Sequence, residues 1–263
     1  MLKMVATYLS FQYGNSSSKK ISKKNYDEFT KKKLYDTTNS TITLLSKGPL
    51  KIISKQSNKI FYETEVAMLK KLNHESIVKI LDINPMKNTF YIPYFGEGDL
   101  FTYVSENEIS QKEIMNIFQK LLPPIKFCHD NNIVHKDIKL ENFLIYGNHS
   151  FYILIDFAMA QEEDGTNEEL TTSKCKFGTQ QYLSPESIHQ SILDGHQRFS
   201  KATDIWSLGI ILYILKYKNY PFSTNNFNLC FSKPDEIDTR IQKLLTIDWK
   251  KRPSIEELIN DSY

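Results

Sequence analysis

Cysteine is scarce in this sequence, and the three residues present lie far apart. Cys128, Cys175 and Cys230 form no CxxC pair, the spacing that zinc sites and redox motifs use. Their odd number and wide separation also give no disulfide framework of the kind found in small secreted proteins. We therefore expect an intracellular protein in a reducing compartment, cytoplasmic in preference to nuclear.

Long apolar runs and a strong net charge are absent as well. No stretch approaches about 20 apolar residues, so no membrane span is expected. The start, MLKMVATYLSFQYG, is interrupted by Lys3, Thr7, Ser10 and Gln12, which argues against a signal peptide. A formal net charge of +2 gives no electrostatic reason to expect nucleic acid or an anionic membrane as a partner. The sequence leaves the oligomeric state open.

The composition is that of an ordinary globular protein. The 263 residues are 40% hydrophobic and 24% charged, which suits one large domain or two lobes. Residues 1–26 form a polar leader that we expect to be mobile. From 27 to 93 the pattern favours short strands, with one helical stretch, IFYETEVAMLKKLNH. STITLLS and LKIIS flank the turn signal KGP and predict a tight hairpin.

The chain from about residue 97 to 263 favours helices. Ser110 and Glu113 have capping-box spacing and predict the start of the helix QKEIMNIFQKLLPPIKFCHDNN. Pro123 and Pro124 predict a kink or a break in it, because proline inside a helix costs about 3 kcal/mol. ATDIWSLGIILYILKY predicts a buried helix, and SIEELIND a last one. The expected class is α+β, with a small sheet lobe, a larger helical lobe and a ligand cleft between them.

A group of polar residues separates two apolar runs in NNIVHKDIKLENFLIYG, residues 131–147. In a loop held at both ends by buried segments, the side chains of Asp137, Lys139 and Asn142 can converge on one point. A carboxylate can accept a hydroxyl proton, an ammonium can neutralise phosphate charge, and an amide oxygen can bind a hard cation such as Mg²⁺. These three groups together suit phosphoryl transfer.

The same stretch carries a family motif. HKDIKLEN, residues 135–142, resembles the catalytic loop H-R-D-x-K-x-x-N of eukaryotic protein kinases. LIDFAMA resembles the D-F-G segment and supplies the metal-binding carboxylate, Asp156. FGTQQYLSPE resembles the end of the activation segment, with Thr179 and Tyr182 at the family's G-T-x-x-Y places and SPE at the place of A-P-E.

Two later segments extend the resemblance. TDIWSLGIILY resembles the buried helix whose aspartate, here Asp204, holds the catalytic loop. KKRPSIEEL supplies Arg252, which in the family pairs with the A-P-E glutamate, here Glu186. The motifs occur in the family's order and cover roughly residues 27 to 263. The resemblance implies a protein-kinase-like bilobal fold, with an N-lobe at about 27–93 and a C-lobe at about 97–263.

The resemblance implies an ATP- and Mg²⁺-dependent kinase that phosphorylates Ser or Thr hydroxyls of protein substrates. Asp137 would orient the hydroxyl and accept its proton, and Lys139, typical of the serine/threonine class, would steady the γ-phosphate. Asn142 and Asp156 would hold Mg²⁺. Catalysis would rest on positioning and charge stabilisation.

The resemblance also implies a nucleotide-binding lysine, for which the chain has two candidates. Glu65 takes the place of the glutamate that pairs with this lysine. Lys51 lies fourteen residues before Glu65 and Lys55 only ten, and the longer separation better fits a strand end, a loop and half a helix. Lys51 is therefore favoured, with Lys55 as the alternative. Strand alternation would place Pro49 on the face of Lys51, above the adenine.

A hinge is expected at YIPYFGEGDL. By resemblance, its backbone would meet the adenine, its aspartate would lie near the ribose, and Ile92 would close the back of the pocket. The remaining residues that the resemblance assigns to nucleotide binding are Leu34, Ile42, Tyr94, Phe95 and Asp99.

The chain departs from the family where the nucleotide phosphates and the metal would bind. LYDTTNSTITLL replaces the glycine-rich loop, with Tyr35, Thr37 and Ser40 where glycines would let backbone N–H groups approach the phosphates. Asp36 would repel phosphate, so weakened nucleotide binding is expected. Ala158 replaces the D-F-G glycine and would restrict the backbone beside the metal ligand.

Lys136 replaces the catalytic-loop arginine and lacks its bidentate fork. A phosphate switch on the activation segment is therefore doubtful, although TTS at residues 171–173 offers hydroxyls. These departures keep a second function open, that of a pseudokinase acting as a non-catalytic interaction or scaffold module. The presence of Asp137 and Asp156 favours the enzyme. Phosphorylation of a small molecule is a weaker third hypothesis, because the activation segment resembles that of kinases that act on proteins.

Overall fold

The structure is a computed structural model, and its described residues form two compact units. The first contains residues 26–63 and Lys79–Tyr94, and the second contains Thr64–Val78 and the described residues from Phe95 onward. Residues 64–78 thus belong to the second unit, although the sequence assigned them to the first lobe. The described residues are 26–163, 171–173, 178–188, 197–222 and 237–260.

An antiparallel sheet of five strands forms the first unit, in the order β1-β2-β3-β5-β4. β2 and β3 are joined by a two-residue turn of Gly48 and Pro49, in which Gly48 has a φ of 59°, a conformation that glycine adopts without steric cost. The hairpin predicted from STITLLS and LKIIS is confirmed. The strand bounds are β1 Thr30–Asp36, β2 Ser40–Lys47, β3 Leu50–Ser57, β4 Asp82–Asn84 and β5 Thr89–Pro93.

One face of this sheet is covered by the start of the described chain. Leu45, Ile52 and Tyr91 are buried there and pack against Tyr26 and Phe29. The rings of Tyr26 and Tyr91 stack with their centroids 3.9 Å apart. Tyr26, which the sequence assigned to the mobile leader, is therefore part of the packed unit, and the rest of the predicted leader lies outside the described residues.

The opposite face carries the alternate residues of the same strands. Neighbouring residues of β2, β3 and β5 form two rows across this face. One row is entirely apolar, and the next contains a lysine between two apolar residues. The rows are Leu44, Ile53 and Ile92, followed by Ile42, Lys55 and Phe90.

Among the described residues, helices and three short strand pairs form the second unit, and the boundary between the units falls inside helix α1. The strand pairs are antiparallel: β6 with β9, β7 with β8, and β10 with β11. Their bounds are β6 Ile133–Val134, β7 Phe143–Tyr146, β8 Phe151–Leu154, β9 Gln161–Glu162, β10 Thr171–Ser173 and β11 Gln197–Phe199. The helices are α1 Lys59–Lys71, α2 Leu100–Glu106, α3 Gln111–Asp130, α4 Lys201–Tyr217, α5 Thr239–Leu244 and α6 Ile255–Asn260.

Helix α3 begins as predicted and does not break. The Ser110 hydroxyl accepts a hydrogen bond from the Glu113 backbone N–H at 3.2 Å. The helix continues through Pro123 and Pro124, so the predicted break is wrong. Side chains on both sides of the prolines are fully buried, and each such burial contributes about 1.5–3 kcal/mol. Tertiary packing of this face therefore outweighs the local cost of proline.

Helix α4 is buried along most of its length, as its apolar composition predicts. Its N-cap is Ser200, whose side chain forms a capping box with Thr203. This start places Asp204 in the first turn, beside the catalytic-loop segment described below. Among the described residues, no helix combines the length and the apolar character needed to cross a membrane.

Candidate active site

The loop that carries the predicted catalytic residues is held between two strands. β6 ends at Val134 and pairs with β9, and β7 begins at Phe143 and pairs with β8. Ile133, Val134 and Phe143 are fully buried. The apolar runs on either side of HKDIKLEN therefore anchor this loop, as the sequence predicted.

Asp204 holds the start of the loop from within the core. Its carboxylate is fully buried and accepts hydrogen bonds from the backbone N–H groups of His135 and Lys136, both at 2.9 Å. His129 contacts the same carboxylate through Nε2 at 3.0 Å. Burial alone would raise the pKa of Asp204, but the His129 hydrogen bond, the nearby imidazoles and the backbone N–H hold that pKa below its usual value. The Asp204 anchor predicted from the sequence is confirmed.

The amide variant Asp204→Asn is expected to lose about 3 kcal/mol of unfolding free energy. An amide cannot accept all these hydrogen bonds without turning its own NH₂ group toward a buried donor. Urea unfolding measures the loss. Asp130→Asn, the same change at an exposed residue paired with Lys126, is expected to change stability by under about 1 kcal/mol. Equal effects of the two substitutions would contradict this role of Asp204.

The Asp137 carboxylate is oriented by donors on both oxygens. Oδ1 accepts from the backbone N–H of Thr179 at 3.0 Å and from its hydroxyl at 2.9 Å. Oδ2 accepts from Lys139 Nζ at 2.7 Å and from Asn142 Nδ2 at 3.2 Å. The loop thus brings together the three polar residues predicted from the sequence, and Thr179 joins them as a fourth.

Thr179 closes this cluster from a distant part of the chain. Its hydroxyl also accepts from Lys139 Nζ at 2.7 Å. The preceding Gly178 has a φ of 132°, and a Cβ there would lie 2.6 Å from Leu183 Cδ2, so only glycine fits without rearrangement. The sequence motif marked Thr179 as a family position, but its hydrogen bonds to Asp137 could not be read from spacing.

Asn142 and Asp156 offer the hard oxygen atoms that Mg²⁺ prefers. The Asn142 amide nitrogen donates to the backbone carbonyl of Asp137 at 2.7 Å, so the amide oxygen is the atom suited to a metal. The Asn142 carbonyl accepts from the N–H of Ile155 at 3.0 Å, which connects the loop to the residue before Asp156. The described residues contain no cluster of three His, Cys, Asp or Glu side chains able to hold a metal. Two protein ligands suit a Mg²⁺ that keeps waters and takes substrate phosphates.

His135 supports the D-F-A segment instead of acting as a base. Its Nε2 lies 3.1 Å from the carbonyl of Ile155, and its ring meets the edge of Phe157 at a centroid distance of 4.6 Å. Burial lowers the pKa of His135 more than the surrounding carboxylates raise it, which favours the neutral ring. His135 is therefore a packing residue beneath the D-F-A segment.

Ala158 is accommodated without a glycine-like backbone. It lies in a 3₁₀ helix, Phe157–Met159, and the positive φ of this segment, 65°, falls on Asp156. The restriction predicted at Ala158 therefore costs nothing in this conformation. Asp156, a residue that tolerates the left-handed region better than most, adopts it instead.

The predicted pair of Arg252 and Glu186 is present. Arg252 donates from both terminal nitrogens to the two carboxylate oxygens, at 2.8 and 2.7 Å, the bidentate geometry of a strong ion pair. Both side chains are buried, and the guanidinium lies 4.9 Å from the Trp206 ring. This pair fixes the end of the activation segment.

The two candidate lysines occupy different positions in β3. Lys51 is exposed, pairs with Ser46 next to the hairpin turn, and lies with its Nζ 5.5 Å from the Tyr94 ring. Lys55 is only 8% exposed and lies between β2 and β5, with its Nζ 6.0 Å from the Phe90 ring. A charged group is buried only where an interaction compensates its desolvation, so the structure favours Lys55 over the Lys51 that the sequence favoured.

The placement of Pro49 above adenine is corrected by the turn. Pro49 lies in the two-residue connection between β2 and β3, where strand alternation does not apply. The apolar residue on the same face of β3 as both lysines, and between them, is Ile53, which pairs with Leu44 and Ile92. Leu44 and Ile53 could not be identified from the sequence, because a row of residues across strands depends on the register of their pairing.

The other predicted nucleotide residues lie as follows. Leu34 is half exposed at an irregularity in the pairing of β1, and Ile42 lies beside Lys55 in the adjacent strand. Glu65 is 2% exposed on α1. Asp99 caps helix α2, accepting from the backbone N–H and the hydroxyl of Thr102 at 2.8 and 3.0 Å.

Two hinge residues complete this set. Tyr94 is the last residue of the first unit and Phe95 continues the chain in the second. The Phe95 ring meets Tyr146 edge-on at 5.9 Å. The rings are thus engaged in packing, which leaves the backbone as the part of the hinge that the resemblance assigns to adenine.

The loop that replaces the glycine-rich loop satisfies its own hydrogen bonds. The Thr37 hydroxyl oxygen accepts from the backbone N–H groups of Asn39 and Ser40, at 3.3 and 3.1 Å. Asp36 accepts from Lys33 at 2.7 Å and from the Thr41 hydroxyl at 2.6 Å, and these bonds lower its pKa. The N–H groups that would meet phosphate are therefore occupied, next to a carboxylate that stays ionised.

Thr37→Gly is expected to tighten ATP binding roughly three- to tenfold, because it frees two backbone donors that are each worth about 1 kcal/mol. Titration calorimetry with Mg·ATP measures the change. The matched control is Thr38→Gly in the same turn, whose side chain makes no hydrogen bond among the described residues. An equal gain from both variants would show that backbone freedom, and not the Thr37 hydroxyl, limits binding.

Comparison with known proteins agrees with this geometry. A sequence model described as "Protein kinase domain" matches residues 46–263. The chain is 31% identical over 228 residues to serine/threonine-protein kinase SIK1 of Rattus norvegicus, which covers 80% of the chain and 28% of that protein. It is 34% identical over 230 residues to probable serine/threonine-protein kinase fhkD of Dictyostelium discoideum, covering 76% of the chain and 30% of that protein.

A third relative comes from a plant. CBL-interacting protein kinase 21 of Oryza sativa subsp. japonica is 30% identical over 186 residues, covering 69% of the chain and 34% of that protein. The chain therefore spans about a third of the length of the curated relatives that it matches.

Proposed function

Because the chain belongs to the protein kinase family, we propose that it transfers the γ-phosphate of ATP to Ser or Thr hydroxyls of protein substrates, using Mg²⁺. The observation that carries this proposal is the Asp137 carboxylate, oriented by Thr179 and Asn142 and bound to Lys139. A carboxylate with an adjacent ammonium supplies a proton acceptor and a counter-charge at one point.

In the proposed reaction, Asp137 orients the acceptor hydroxyl and receives its proton as phosphate transfer proceeds. Lys139, already directed toward Asp137 and Thr179, neutralises charge on the γ-phosphate. Asn142 and Asp156 would hold Mg²⁺, whose charge offsets that of the phosphates. Thr179 keeps the carboxylate in place through two hydrogen bonds to one oxygen.

For the nucleotide, we propose Lys55 as the residue that binds the α- and β-phosphates, with Glu65 as its orienting partner. Its burial and its position in the middle of the sheet support this choice over Lys51. Ile53 takes the role first given to Pro49, and Ile42, the strand neighbour of Lys55, and Leu34 are the other apolar residues proposed to meet the nucleotide. The backbone of Tyr94 and Phe95 would meet adenine, and Asp99 would lie near the ribose.

The pseudokinase remains the second candidate, and one observation favours it: the self-bonded loop with Thr37 and Asp36. That loop lowers phosphate affinity without altering the residues around Asp137. A chain that binds a partner protein, with or without nucleotide, but transfers no phosphate would fit this second function.

Transfer of label from γ-labelled ATP decides between the two. We expect transfer to a basic protein substrate with Mg²⁺ and none with excess chelator, and the label should lie on Ser or Thr in phosphoamino-acid analysis. Asp137→Asn protein, purified in parallel, reports any co-purifying kinase. If the chain binds nucleotide but its Mg²⁺-dependent transfer of label does not exceed that of the Asp137→Asn control, the pseudokinase would be favoured. Label mainly on Tyr would contradict the proposed acceptor.

We also propose an intracellular location, cytoplasmic in preference to nuclear. The supporting observation is Cys128, a free thiol buried in the core. Fractionation of cells that express the tagged chain tests the compartment, and recovery mainly in the nuclear fraction would contradict it.

A further inference from the structure

The side chain of Lys136 connects three segments of the second unit. Its backbone N–H is bound to Asp204, and its φ is 67°. Its ammonium lies 4.5 Å from the centroid of the Phe199 ring and 3.4 Å from Gln161 Oε1. Phe199 is fully buried and Lys136 only 7% exposed. A cation over an aromatic face interacts more strongly where water is excluded.

These contacts involve both sides of the activation segment, defined by resemblance as residues 156–186. Gln161 lies in β9, near the start of the activation segment. Phe199 ends β11, and β11 pairs along its whole length with β10, Thr171–Ser173, in the middle of the segment. Ser200, the next residue, caps helix α4. Lys136 therefore contacts Phe199, the residue that joins β11, the pairing partner of the activation-segment strand β10, to the buried helix α4.

We propose that the Lys136–Phe199 contact and the β10–β11 ladder position the activation segment without a phosphate on Thr171, Thr172 or Ser173. The inference rests on the proposed kinase function. In the family that the chain resembles, an arginine at position 136 often grips such a phosphate. Here the cation already has an aromatic face and an amide oxygen as partners, and backbone hydrogen bonds hold the strand.

The first test removes the hydroxyls. Thr171→Val, Thr172→Val and Ser173→Ala are combined in one chain, because valine keeps the β-branched shape that favours a strand. We expect the kcat of this triple variant to lie within twofold of that of the unsubstituted protein. We also expect the unsubstituted protein to be active when mass spectrometry shows no phosphate on residues 171–173. A loss of tenfold or more in the triple variant would overturn the inference.

The second test removes the contact. Lys136→Met and Phe199→Leu are expected to lower kcat roughly tenfold while the KM for ATP stays within twofold. Lys136→Arg, which restores a cation over the ring, is expected to recover most of the rate. Lys120→Met is the matched control, because it removes a cation 5.9 Å from the Tyr152 ring, outside the activation segment. Unchanged kcat in Lys136→Met, or equal losses in Lys120→Met, would overturn the inference.

A third measurement does not depend on activity. Hydrogen–deuterium exchange of residues 171–173 is expected to be slow in the unphosphorylated protein and at least tenfold faster in Lys136→Met and Phe199→Leu. If the chain transfers no phosphate but this exchange pattern holds, the proposed function fails and the positioning contact stands. Fast exchange in the unsubstituted protein would overturn the contact whatever the activity.

Discussion

Asp137→Asn is expected to lower kcat by about 10²–10⁴-fold while the KM for ATP changes less than about twofold. An amide cannot accept the proton of the substrate hydroxyl, and loss of a general base costs about this much in rate. The amide is the same size as the carboxylate, so the loop is not left with a cavity. Steady-state kinetics with varied ATP and varied protein substrate separate the two parameters.

Asp137→Asn also has a structural cost that the measurement must separate from the chemical one. All four neighbours of the carboxylate are donors: the Thr179 N–H and hydroxyl, Lys139 and Asn142. Either orientation of the new amide turns its NH₂ toward some of them, at about 1–3 kcal/mol. Urea unfolding and Mg·ATP titration of the variant show whether it stays folded and binds nucleotide. A folded variant with more than a tenth of the original kcat would contradict the role of Asp137 as the base.

The contacts around Asp137 show what a sequence can predict about such a site. Asp137, Lys139 and Asn142 lie within six residues, between apolar runs that become strands, so local pattern alone brought them together correctly. Thr179 lies 42 residues beyond Asp137, and only the fold decides that its hydroxyl reaches the carboxylate. Long-range partners such as Asp204 were predicted through family resemblance and not through spacing.

Helix α3 and the Thr37 turn show where local rules failed. Pro123 and Pro124 predicted a kink or a break. The break is wrong because local propensity was weighed without the buried face that holds the helix together. At the turn, the sequence showed that glycines were missing, but not that the Thr37 hydroxyl binds the N–H groups of Asn39 and Ser40. The packing of helix α3 and the hydrogen bonds of Thr37 both depend on the folded structure, so local sequence rules could not predict either.

Local pattern could not separate Lys51 from Lys55, for a geometric reason. The two residues are four apart in one strand, so both lie on the same face and periodicity cannot separate them. Separation from Glu65 along the chain was the remaining criterion and favoured Lys51, whereas burial favours Lys55. The register of strand pairing distinguishes the two positions: Lys55 has strand neighbours on both sides, whereas Lys51 pairs beside the turn.

Lys55→Met is therefore expected to abolish the thermal stabilisation by Mg·ATP and to lower kcat/KM by about 10²-fold. A buried ammonium acts on phosphate through a medium of low dielectric, where charge-assisted hydrogen bonds are strongest. Methionine keeps a long apolar side chain but no charge. Differential scanning fluorimetry with and without Mg·ATP, followed by steady-state kinetics, measures both effects.

Lys51→Met is the matched control, because it makes the same substitution in the same strand and on the same face. Its exposed ammonium is screened by water and contacts the Tyr94 ring, so we expect the nucleotide-dependent shift and kcat/KM to stay within about twofold. Midpoints measured without nucleotide show whether either variant is destabilised by itself. If Lys51→Met abolishes the shift and Lys55→Met keeps it, the sequence-based choice of Lys51 was right and burial is a poor guide in this sheet. If neither variant alters the shift, nucleotide does not depend on a lysine of β3, and the proposed phosphate contact is wrong.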